Sequence, residues 1–408
     1  MPRVIIRRGQ YFQMDNIIGI LKSLKKTPQL LKVDLRTNLF LLKYFGKFKI
    51  KKINNDYILH SHLPPINSSA YTKFVDQHLI KNISGPSHAQ IGLTNACPQK
   101  CSYCYNKIRS GKAMDNDTII NCIDELGKMG VTWLGLTGGE PLLNKNIVEI
   151  IDRTDKDIAI KLFTTGCTLT QQKALDMKKA GLTYVSVSLD SSREEDHDHA
   201  RGYKNAFKEA LRGIEIFLNA GLHTGVSTVL TKEMMNQESM LEFLGFLENL
   251  GVHEAWLSEV KPSSEYFWHK EFVISRDETD FLIKLQDQYN KKDGMTINYL
   301  GHFEHGSHFG CNAGIKMLYI DAFGEVSPCV FVPMTFGNVR DISLPKIFEA
   351  MTTHFKSDRE CFINKNYPII KKHYRNISPI PTDDALAILE EIRYAGIPDF
   401  NRIQGGKS

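Results

Sequence analysis

The amino-acid sequence predicts an α/β protein in which six parallel strands form a partial barrel, between a basic N-terminal extension and a cysteine-bearing C-terminal module. Three observations lead to this prediction. Short β-rich runs alternate with longer amphipathic runs in the middle of the chain, the first 60 residues are strongly basic, and six of the eight cysteines fall into two groups. Alternating strands and helices are typical of a parallel sheet.

The composition is that of an ordinary globular protein. Of the 408 residues, 42% are hydrophobic and 24% are charged. No run of eighteen apolar residues predicts a transmembrane helix, and the first residues, MPRVIIRRGQYF, lack the apolar core and cleavage site of a signal peptide. We therefore expect a cytoplasmic protein, in which clustered cysteines act as metal ligands or nucleophiles rather than as disulfides.

The N-terminal extension, predicted over residues 1–85, differs from the remainder in its charge. Residues 1–60 carry thirteen Lys or Arg and three Asp, a net +10, so the rest of the chain carries −5 of the overall +5. Four roles are compatible with this segment: a basic cap over one end of the barrel, an amphipathic surface at an anionic membrane, a docking domain for an acidic peptide or partner, and a face that favours an anionic substrate. No nucleic-acid-binding motif accompanies the charge, so we do not expect nucleic acid as a partner. Residues 61–69, SHLPPINSS, are predicted to be the exit linker.

The barrel is predicted over residues 86–300. Amphipathic runs such as 117–130 and 206–221 end in glycine, as helices often do. Six units are too few for a closed eight-stranded barrel, so we expect a partial (β/α)6 barrel whose chemistry lies at the C-terminal strand ends. The predicted strands are 89–95, 131–137, 158–165, 183–190, 223–230 and 253–260.

The C-terminal part is predicted to contain a small module over residues 301–365 and a helical tail over residues 366–408. Within the module, YIDAFGEVSPC predicts a hairpin with Gly324 at its turn. In the tail, residues 382–396 predict a helix with Thr382 as N-cap.

Three cysteines, Cys97, Cys101 and Cys104, lie within seven residues directly after the first predicted strand. A structural zinc site needs four ligands, often as two C-x2-C pairs, and no second pair follows nearby. Three thiolates in one loop instead suit a [4Fe–4S] cluster, in which they hold three irons and leave the fourth open for a substrate or cofactor. Three unrelated packing cysteines are the remaining alternative.

The pattern C-x3-C-x-Φ-C, with Tyr103 at the position before the last cysteine, resembles the signature of the radical S-adenosylmethionine (SAM) enzymes. The resemblance extends over residues 88 to about 300. It implies a TIM-like partial barrel, binding of S-adenosylmethionine to the open iron, and reductive cleavage to a 5′-deoxyadenosyl radical that takes hydrogen from a substrate. It also implies ferredoxin or flavodoxin as the electron donor.

The same resemblance assigns cofactor contacts after the second strand and beside the cysteines. LTGGEPLL contains Gly138, Gly139 and Glu140, which are similar to the family's GGE motif that binds the amino group of the methionine moiety. Two glycines there would also let the backbone approach a ligand closely. Tyr103 is expected near the adenine, or as a cover over the cluster.

Three further contacts follow from the resemblance. Ser188 is a candidate contact to the ribose or carboxylate, with Asp190 at the same strand end. Arg201 is similar to the arginine that pairs with the methionine carboxylate; the alternative is a surface cation. Thr165 stands in FTTG where relatives commonly have T-N-G, so a threonine replaces an amide at this cofactor position.

The second group, Cys311, Cys329 and Cys361, resembles the SPASM or twitch modules of the same superfamily, which hold auxiliary [4Fe–4S] clusters. The dense later run of cysteines in a full module is absent from this sequence. We therefore expect at most one auxiliary cluster, with three cysteine ligands and either an open iron or a non-cysteine ligand. The alternative is a degenerate module without metal. The candidates for a non-cysteine ligand are His302, His305 and His308, each of which also fits a surface or core-edge position.

These features predict a radical SAM enzyme whose substrate is a peptide. Modification of a small molecule, sugar or lipid is the alternative, and a non-catalytic iron–sulfur redox or scaffold protein is the alternative from another class. The substrate, the fate of S-adenosylmethionine, the fourth auxiliary ligand and the oligomeric state do not follow from the sequence.

Overall fold

The structure, a computed structural model, describes residues 11–263, 271 and 273–405. The first ten residues lie outside the described residues, and so does most of the segment for which the sequence predicts no signal peptide. Three of the thirteen cations of the basic extension lie in these ten residues.

The N-terminal region consists of short helices and one two-stranded antiparallel sheet, β1–β2. Asp34 is the N-cap of α2 and accepts a hydrogen bond from the Thr37 amide at 3.0 Å, which explains where this helix begins. The elements are α1 Tyr11–Lys26, a 3-10 helix Pro28–Lys32, α2 Leu35–Phe45, β1 Lys51–Ile53, β2 Asp56–Ile58, α3 Ser69–Phe74 and a π-helix Val75–Ile80.

All six predicted strands are present and pair in parallel in chain order. They are buried on both faces, as expected for parallel strands covered by helices. Their bounds are β3 His88–Gly92, β4 Trp133–Thr137, β5 Ala159–Thr164, β6 Tyr184–Ser188, β7 His223–Leu230 and β8 Glu254–Glu259.

Three short strands that the barrel prediction did not include extend this sheet at both edges. The four-residue β9, Thr296–Tyr299, pairs in parallel with β8. On the other side, β10, Met317–Ile320, pairs in parallel with β3, and β11, Val326–Ser327, pairs antiparallel with β10. In the described residues the sheet order runs β11-β10-β3-β4-β5-β6-β7-β8-β9, so the barrel stays open between β9 and β11.

The strands β10 and β11 form the predicted hairpin, with Gly324 at φ +87° in its turn. The Asp321 side chain accepts from the amides of Phe323 and Glu325 and so fixes the turn. The hairpin therefore belongs to the barrel sheet as well as to the C-terminal module.

The barrel helices cover the outside of the sheet, and α4 and α8 correspond to the runs predicted at 117–130 and 206–221. The helices of this part are α4 Asn116–Lys128, α5 Ile147–Arg153, α6 Gln171–Ala180, α7 Glu194–Arg201, α8 Ala206–Asn219, α9 Gln237–Asn249, α10 Arg276–Tyr289 and α11 Leu300–Phe303, with 3-10 helices at Pro141–Leu143 and Lys232–Met234.

Four helices follow the hairpin. The predicted tail helix is α14, but it ends at Glu391 rather than at residue 396, and its N-cap is Pro381. The prediction of Thr382 as N-cap was wrong because this residue lies in the first turn, where its hydroxyl donates to the Thr335 carbonyl at 3.2 Å. The four helices are α12 Leu344–Thr352, α13 Phe362–His373, α14 Thr382–Glu391 and α15 Asp399–Ile403.

The segment predicted to be an exit linker is instead buried at the N-terminal ends of the barrel strands. The Trp133 indole donates to the Ser61 carbonyl, and the Tyr184 hydroxyl donates to the Leu63 carbonyl, both at 2.8 Å. The His62 ring stacks between Trp133 and Trp256, with ring centroids 5.2 and 5.0 Å away. Residues 60–63 therefore fill this end of the barrel, which favours the interpretation of the extension as a cap.

An ionic network holds this cap segment in place. The fully buried Lys161 donates to the Ser61 hydroxyl at 2.7 Å, and its ammonium lies 3.4 Å from the centroid of the Trp256 ring. Glu254 accepts from the Ser61 amide at 2.8 Å and from the Ser61 hydroxyl. Burial lowers the pKa of Lys161 to about 7, although the Glu254 carboxylate opposes this shift. Lys161 and Glu254 are therefore both engaged with Ser61 of the cap segment.

The hydrogen bond from Tyr184 predicts a measurable contribution to stability. We expect Tyr184→Phe to lower the free energy of unfolding by about 1–2 kcal/mol, because it leaves the buried Leu63 carbonyl without its donor. The matched control is Tyr394→Phe, since the Tyr394 hydroxyl makes the same kind of bond to the His354 carbonyl at the exposed surface. The control should change stability by less than about 0.5 kcal/mol. Equal effects of the two substitutions in chemical denaturation would contradict the buried cap.

Candidate active site

A large cleft opens at the C-terminal ends of the barrel strands, with about 1570 Å³ of empty space that includes part of the open solvent. The C-terminal halves of the strands contribute Thr137, Thr164, Ser188, Ser227 and Ser258 to its lining. All ten residues predicted to hold the first cluster or its cofactor line this one cleft: Cys97, Cys101, Tyr103, Cys104, Gly138, Gly139, Glu140, Thr165, Ser188 and Arg201.

The cysteine loop presents its three thiols at different depths. Cys101 is buried, Cys104 is half-buried and Cys97 is exposed. The Lys100 amide donates to the Arg201 carbonyl at 2.9 Å, so the loop rests on the C-terminal end of α7, where helix carbonyls lack internal partners. The loop is thus held by the backbone of a neighbouring helix.

The two glycines after β4 contact the backbone that leads into the cysteine loop. The Gly139 amide donates to the Thr94 carbonyl at 2.6 Å, and the Glu140 amide donates to the Ala96 carbonyl at 2.8 Å. A Cβ on Gly138 would lie 2.3 Å from the Thr94 oxygen, and one on Gly139 would lie 2.3 Å from the Ala96 oxygen. The absent side chains therefore allow this turn to approach the cysteine loop, whereas the sequence had suggested an approach to a ligand.

Glu140 is fully buried, and both oxygens of its carboxylate accept hydrogen bonds. One oxygen accepts from the Leu142 amide at 2.9 Å and from the Thr164 hydroxyl at 2.6 Å. The other accepts from the amide and the hydroxyl of Thr165, both at 2.6 Å. Burial raises the pKa of Glu140, and the four hydrogen bonds oppose this shift. Thr165, the residue that departs from the family pattern, therefore orients the Glu140 carboxylate.

A second buried group joins Tyr103, Asp190 and Arg201. The Arg201 Nε atom lies 2.8 Å from an Asp190 carboxylate oxygen, which also accepts a hydrogen bond from the Tyr103 hydroxyl. The other Asp190 oxygen accepts from the Val229 amide at 3.0 Å. Arg201 is only 6% exposed, so the alternative of a surface cation was wrong. Burial alone would lower the pKa of Arg201, but Asp190 raises it above its ordinary value and keeps the guanidinium charged.

The guanidinium of Arg201 also lies close to the cysteine loop, with Nη1 at 4.0 Å from the Cys101 sulfur. Burial raises the pKa of the Cys101 thiol, while the Arg201 charge lowers it. A cation at this distance stabilises the thiolate form that a metal or cluster requires.

The donor set around the cleft fits an iron–sulfur cluster. In the described residues no three His, Cys, Asp or Glu side chains stand close enough together to hold a single metal ion. The sulfurs that hold a four-iron cube are spread more widely than the ligands of one ion, because each binds a different corner. Three thiols from one loop beside an open cleft would hold three irons of such a cluster and leave the fourth iron available to a ligand.

The second group of cysteines lies in the C-terminal module, which lines the cleft with Val330 and Phe331 next to Cys329. The interaction between the Cys311 and Cys361 thiols raises the pKa of Cys311 and lowers that of Cys361. Burial raises the pKa of Cys329 to about 12, and the charge of Cys361 contributes to this shift. These thiols, far apart in sequence, are therefore brought together as a second donor set.

The three histidines that were candidates for a fourth ligand lie elsewhere. A His302 ring nitrogen is 3.1 Å from the Lys47 ammonium, and His308 stacks on His302 with ring centroids 4.3 Å apart. His305 contacts the Ser307 hydroxyl at 2.6 Å. Two of these histidines thus pack with the N-terminal region, a contact that only the tertiary structure shows.

A buried charged group beside Cys361 was missed in the sequence. The Lys261 ammonium lies 3.2 Å from Glu259 and 3.5 Å from Glu304, and its charge also lowers the pKa of Cys361. Burial raises the pKa of Glu304 to about 8, with Lys261 opposing. Glu259 and Lys261 also line the cleft, so this group lies between the two sets of cysteines. The available signal was the pair Glu259 and Lys261 at the end of a predicted barrel strand.

Two family models match this chain. The model described as the Radical SAM superfamily matches residues 91–244, and the model described as SPASM, an iron–sulfur cluster-binding domain, matches residues 311–369. The first contains the cysteine loop, the GGE turn and Arg201, and the second contains all three later cysteines.

Named relatives and separate solved structures are also similar to this chain. An AdoMet-dependent heme synthase of Methanosarcina barkeri is 28% identical over 283 residues, which is 63% of this chain and 80% of that protein. The antilisterial bacteriocin subtilosin biosynthesis protein AlbA of Bacillus subtilis is 29% identical over 287 residues, or 66% of this chain and 61% of that protein. The structure of Streptococcus suis SuiB bound to precursor peptide SuiA superposes with a TM-score of 0.57 at 15% identity, over 82% of this chain and 84% of that chain, a likeness of fold.

The close approach of Gly139 to the cysteine loop predicts a selective loss of iron. We expect Gly139→Ala to displace the loop, because the new Cβ would overlap the Ala96 carbonyl, and to lower the iron retained after anaerobic reconstitution by about four atoms per chain. The control is Gly245→Ala on α9, where a Cβ would meet nothing within 4 Å. This control variant should retain its full iron content. Unchanged iron in Gly139→Ala would show that the turn does not position the loop.

Proposed function

Since the chain belongs to the radical SAM enzymes and carries a SPASM module, we propose that it abstracts a hydrogen atom from a carbon of a peptide and so modifies that peptide. The enzyme uses a [4Fe–4S] cluster and S-adenosylmethionine, and its SPASM module binds auxiliary iron–sulfur. The observation that carries the proposal is the convergence of all ten predicted cluster and cofactor residues on one cleft.

We assign the following roles within the cleft. Cys97, Cys101 and Cys104 would hold three irons of the first cluster. When bound, the cluster and S-adenosylmethionine supply a 5′-deoxyadenosyl radical that takes hydrogen from an unactivated carbon. Cys311, Cys329 and Cys361 would hold the auxiliary cluster.

The polar groups of the cleft are oriented in advance for a zwitterionic ligand. The Glu140 carboxylate is fixed by four hydrogen bonds and suits an ammonium group, as in the family's GGE motif. Arg201 is fixed through Nε by Asp190, and a guanidinium fork suits a carboxylate. Ser188 lies at the neighbouring strand end, where its hydroxyl can reach the same ligand. Fixed groups of this kind lower the ordering cost of binding.

Apolar residues on the far side of the cleft would keep the reacting centre dry. Trp256, Leu300, Val330 and Phe331 line it, the last two from the C-terminal module. Exclusion of water protects a reactive species from side reactions. The module would therefore shield the substrate as well as hold its own cysteines.

Three observations support a peptide as the substrate. AlbA is named for the biosynthesis of a bacteriocin, and SuiB was solved with a precursor peptide. The cleft, with about 1570 Å³ of empty space partly open to solvent, can admit one segment of a chain whose remainder stays outside. The second candidate substrate is a small molecule, because one relative is named as a heme synthase.

The cofactor chemistry can be tested without a substrate. The reconstituted protein, reduced with dithionite or with ferredoxin or flavodoxin, should convert S-adenosylmethionine into 5′-deoxyadenosine and methionine, measured by liquid chromatography. A Cys97→Ala, Cys101→Ala, Cys104→Ala variant should produce neither while it keeps the iron of the auxiliary cluster. S-adenosylhomocysteine as the main product would replace the proposal with methyl transfer, and no turnover would favour a scaffold or redox role.

The substrate class requires a separate experiment. A short peptide encoded beside the gene, uniformly deuterated, should transfer deuterium into 5′-deoxyadenosine and should itself change in mass. The triple cysteine variant and an unrelated peptide of equal length serve as controls. Deuterium transfer from a small molecule encoded by neighbouring biosynthetic genes, with none from the peptide, would retain the radical chemistry and overturn the peptide assignment.

A further inference from the structure

Exposed apolar side chains are concentrated in the N-terminal region. In the part of the chain that the structure describes, twelve large hydrophobic side chains are exposed, and seven of them lie between residues 18 and 42. Single exposed leucines are ordinary, whereas a concentration of them marks an interaction surface. The seven are Ile18, Ile20, Leu21, Leu31, Leu35, Leu39 and Leu42.

Helix α2 presents three of these leucines on one side. Leu35, Leu39 and Leu42 follow the i, i+4, i+7 spacing of one helix face and are 73%, 57% and 59% exposed. The buried positions of the same helix include Leu41 and Tyr44, which pack into the N-terminal core. The helix is therefore apolar on a second face that no described part of the chain covers.

Leu31 extends this surface from the 3-10 helix before α2 and is the most exposed of the seven, at 80%. At such exposure the leucines stand out from the protein instead of lining a groove. An amphipathic peptide partner is usually held in an apolar groove, whereas protruding apolar side chains suit insertion into a soft apolar phase.

The charges beside these leucines have one sign. The only acidic residue between positions 18 and 45 is Asp34, whose carboxylate is engaged as the N-cap of α2. A surface that combines protruding leucines with cations complements a phase that is apolar inside and anionic at its surface. The exposed cations of the same stretch are Lys22, Lys25, Lys26, Lys32, Arg36 and Lys43.

We propose that this leucine–lysine surface, residues 18–43, binds peripherally to an anionic lipid bilayer. The leucines enter the boundary between headgroups and acyl chains, and the cations pair with lipid phosphates. None of the described helices is long and apolar enough to cross a bilayer, so this contact lies along the membrane surface. None of the seven apolar residues lines the cleft, so the inference stands independently of the proposed function.

The test is co-sedimentation of the reconstituted full chain with vesicles of phosphatidylcholine alone or mixed equally with phosphatidylglycerol. We expect binding to the mixed vesicles, at least tenfold weaker binding to the neutral ones, and weakening by salt. A Leu31→Asn, Leu35→Asn, Leu39→Asn, Leu42→Asn variant should lose at least tenfold in affinity. Its fold is checked by circular dichroism and by retained iron.

The matched control carries four substitutions of exposed apolar residues elsewhere: Leu175→Asn, Leu241→Asn, Ile342→Asn and Ile377→Asn. It should bind the mixed vesicles like the unaltered protein. Equal losses in the two variants, or equal binding to both kinds of vesicle, would overturn the proposal.

Two other results would assign the surface to another occupant and also overturn the proposal. The first is a concentration-dependent dimer in analytical ultracentrifugation that the four-leucine variant loses, without vesicle binding. The second is saturable binding of an acidic amphipathic helical peptide together with failure to bind either vesicle.

Discussion

The candidate active site depends on a contact between two pieces of backbone. The turn after β4 lies directly against the chain that enters the cysteine loop, with glycines at the two positions where a Cβ would overlap a carbonyl oxygen. Two amide-to-carbonyl hydrogen bonds close this contact. Because the same turn continues into Glu140, the cysteine thiols and the carboxylate are fixed relative to each other by the main chain, which has far less freedom than side chains.

Two charged groups of the cleft, Glu140 and Arg201, are each held by residues at a neighbouring strand end. Glu140 is held by the two threonines at the end of β5, and Arg201 is held by Asp190, which follows β6. Buried charges are tolerated when they are paired and hydrogen-bonded, and such pairing also removes their rotational freedom. The parallel sheet therefore supplies the site with both signs of charge in fixed positions.

Buried charged side chains also join the parts of the chain around the barrel. Arg109, shortly after the cysteine loop, lies 3.0 Å from Asp321 in the β10–β11 hairpin, with both side chains 1% exposed. Lys261, just after β8, lies 3.5 Å from Glu304 of the C-terminal module, and Lys161 of β5 donates a hydrogen bond to Ser61 of the N-terminal cap. Breaking a buried pair leaves an uncompensated charge, so these contacts fix how the cap and the module meet the barrel.

The sequence by itself determined the six barrel strands, the hairpin and ten of the residues that line the cleft, because hydrophobic periodicity and motif spacing are local properties. It did not determine the partners of those residues. Only the tertiary structure decided that Thr165 orients Glu140, that Arg201 is paired with Asp190, that residues 60–63 fill the barrel, and that Lys261 lies beside Cys361. Each of these contacts joins different elements of the fold, and their proximity depends on strand order and packing, which a local pattern does not encode.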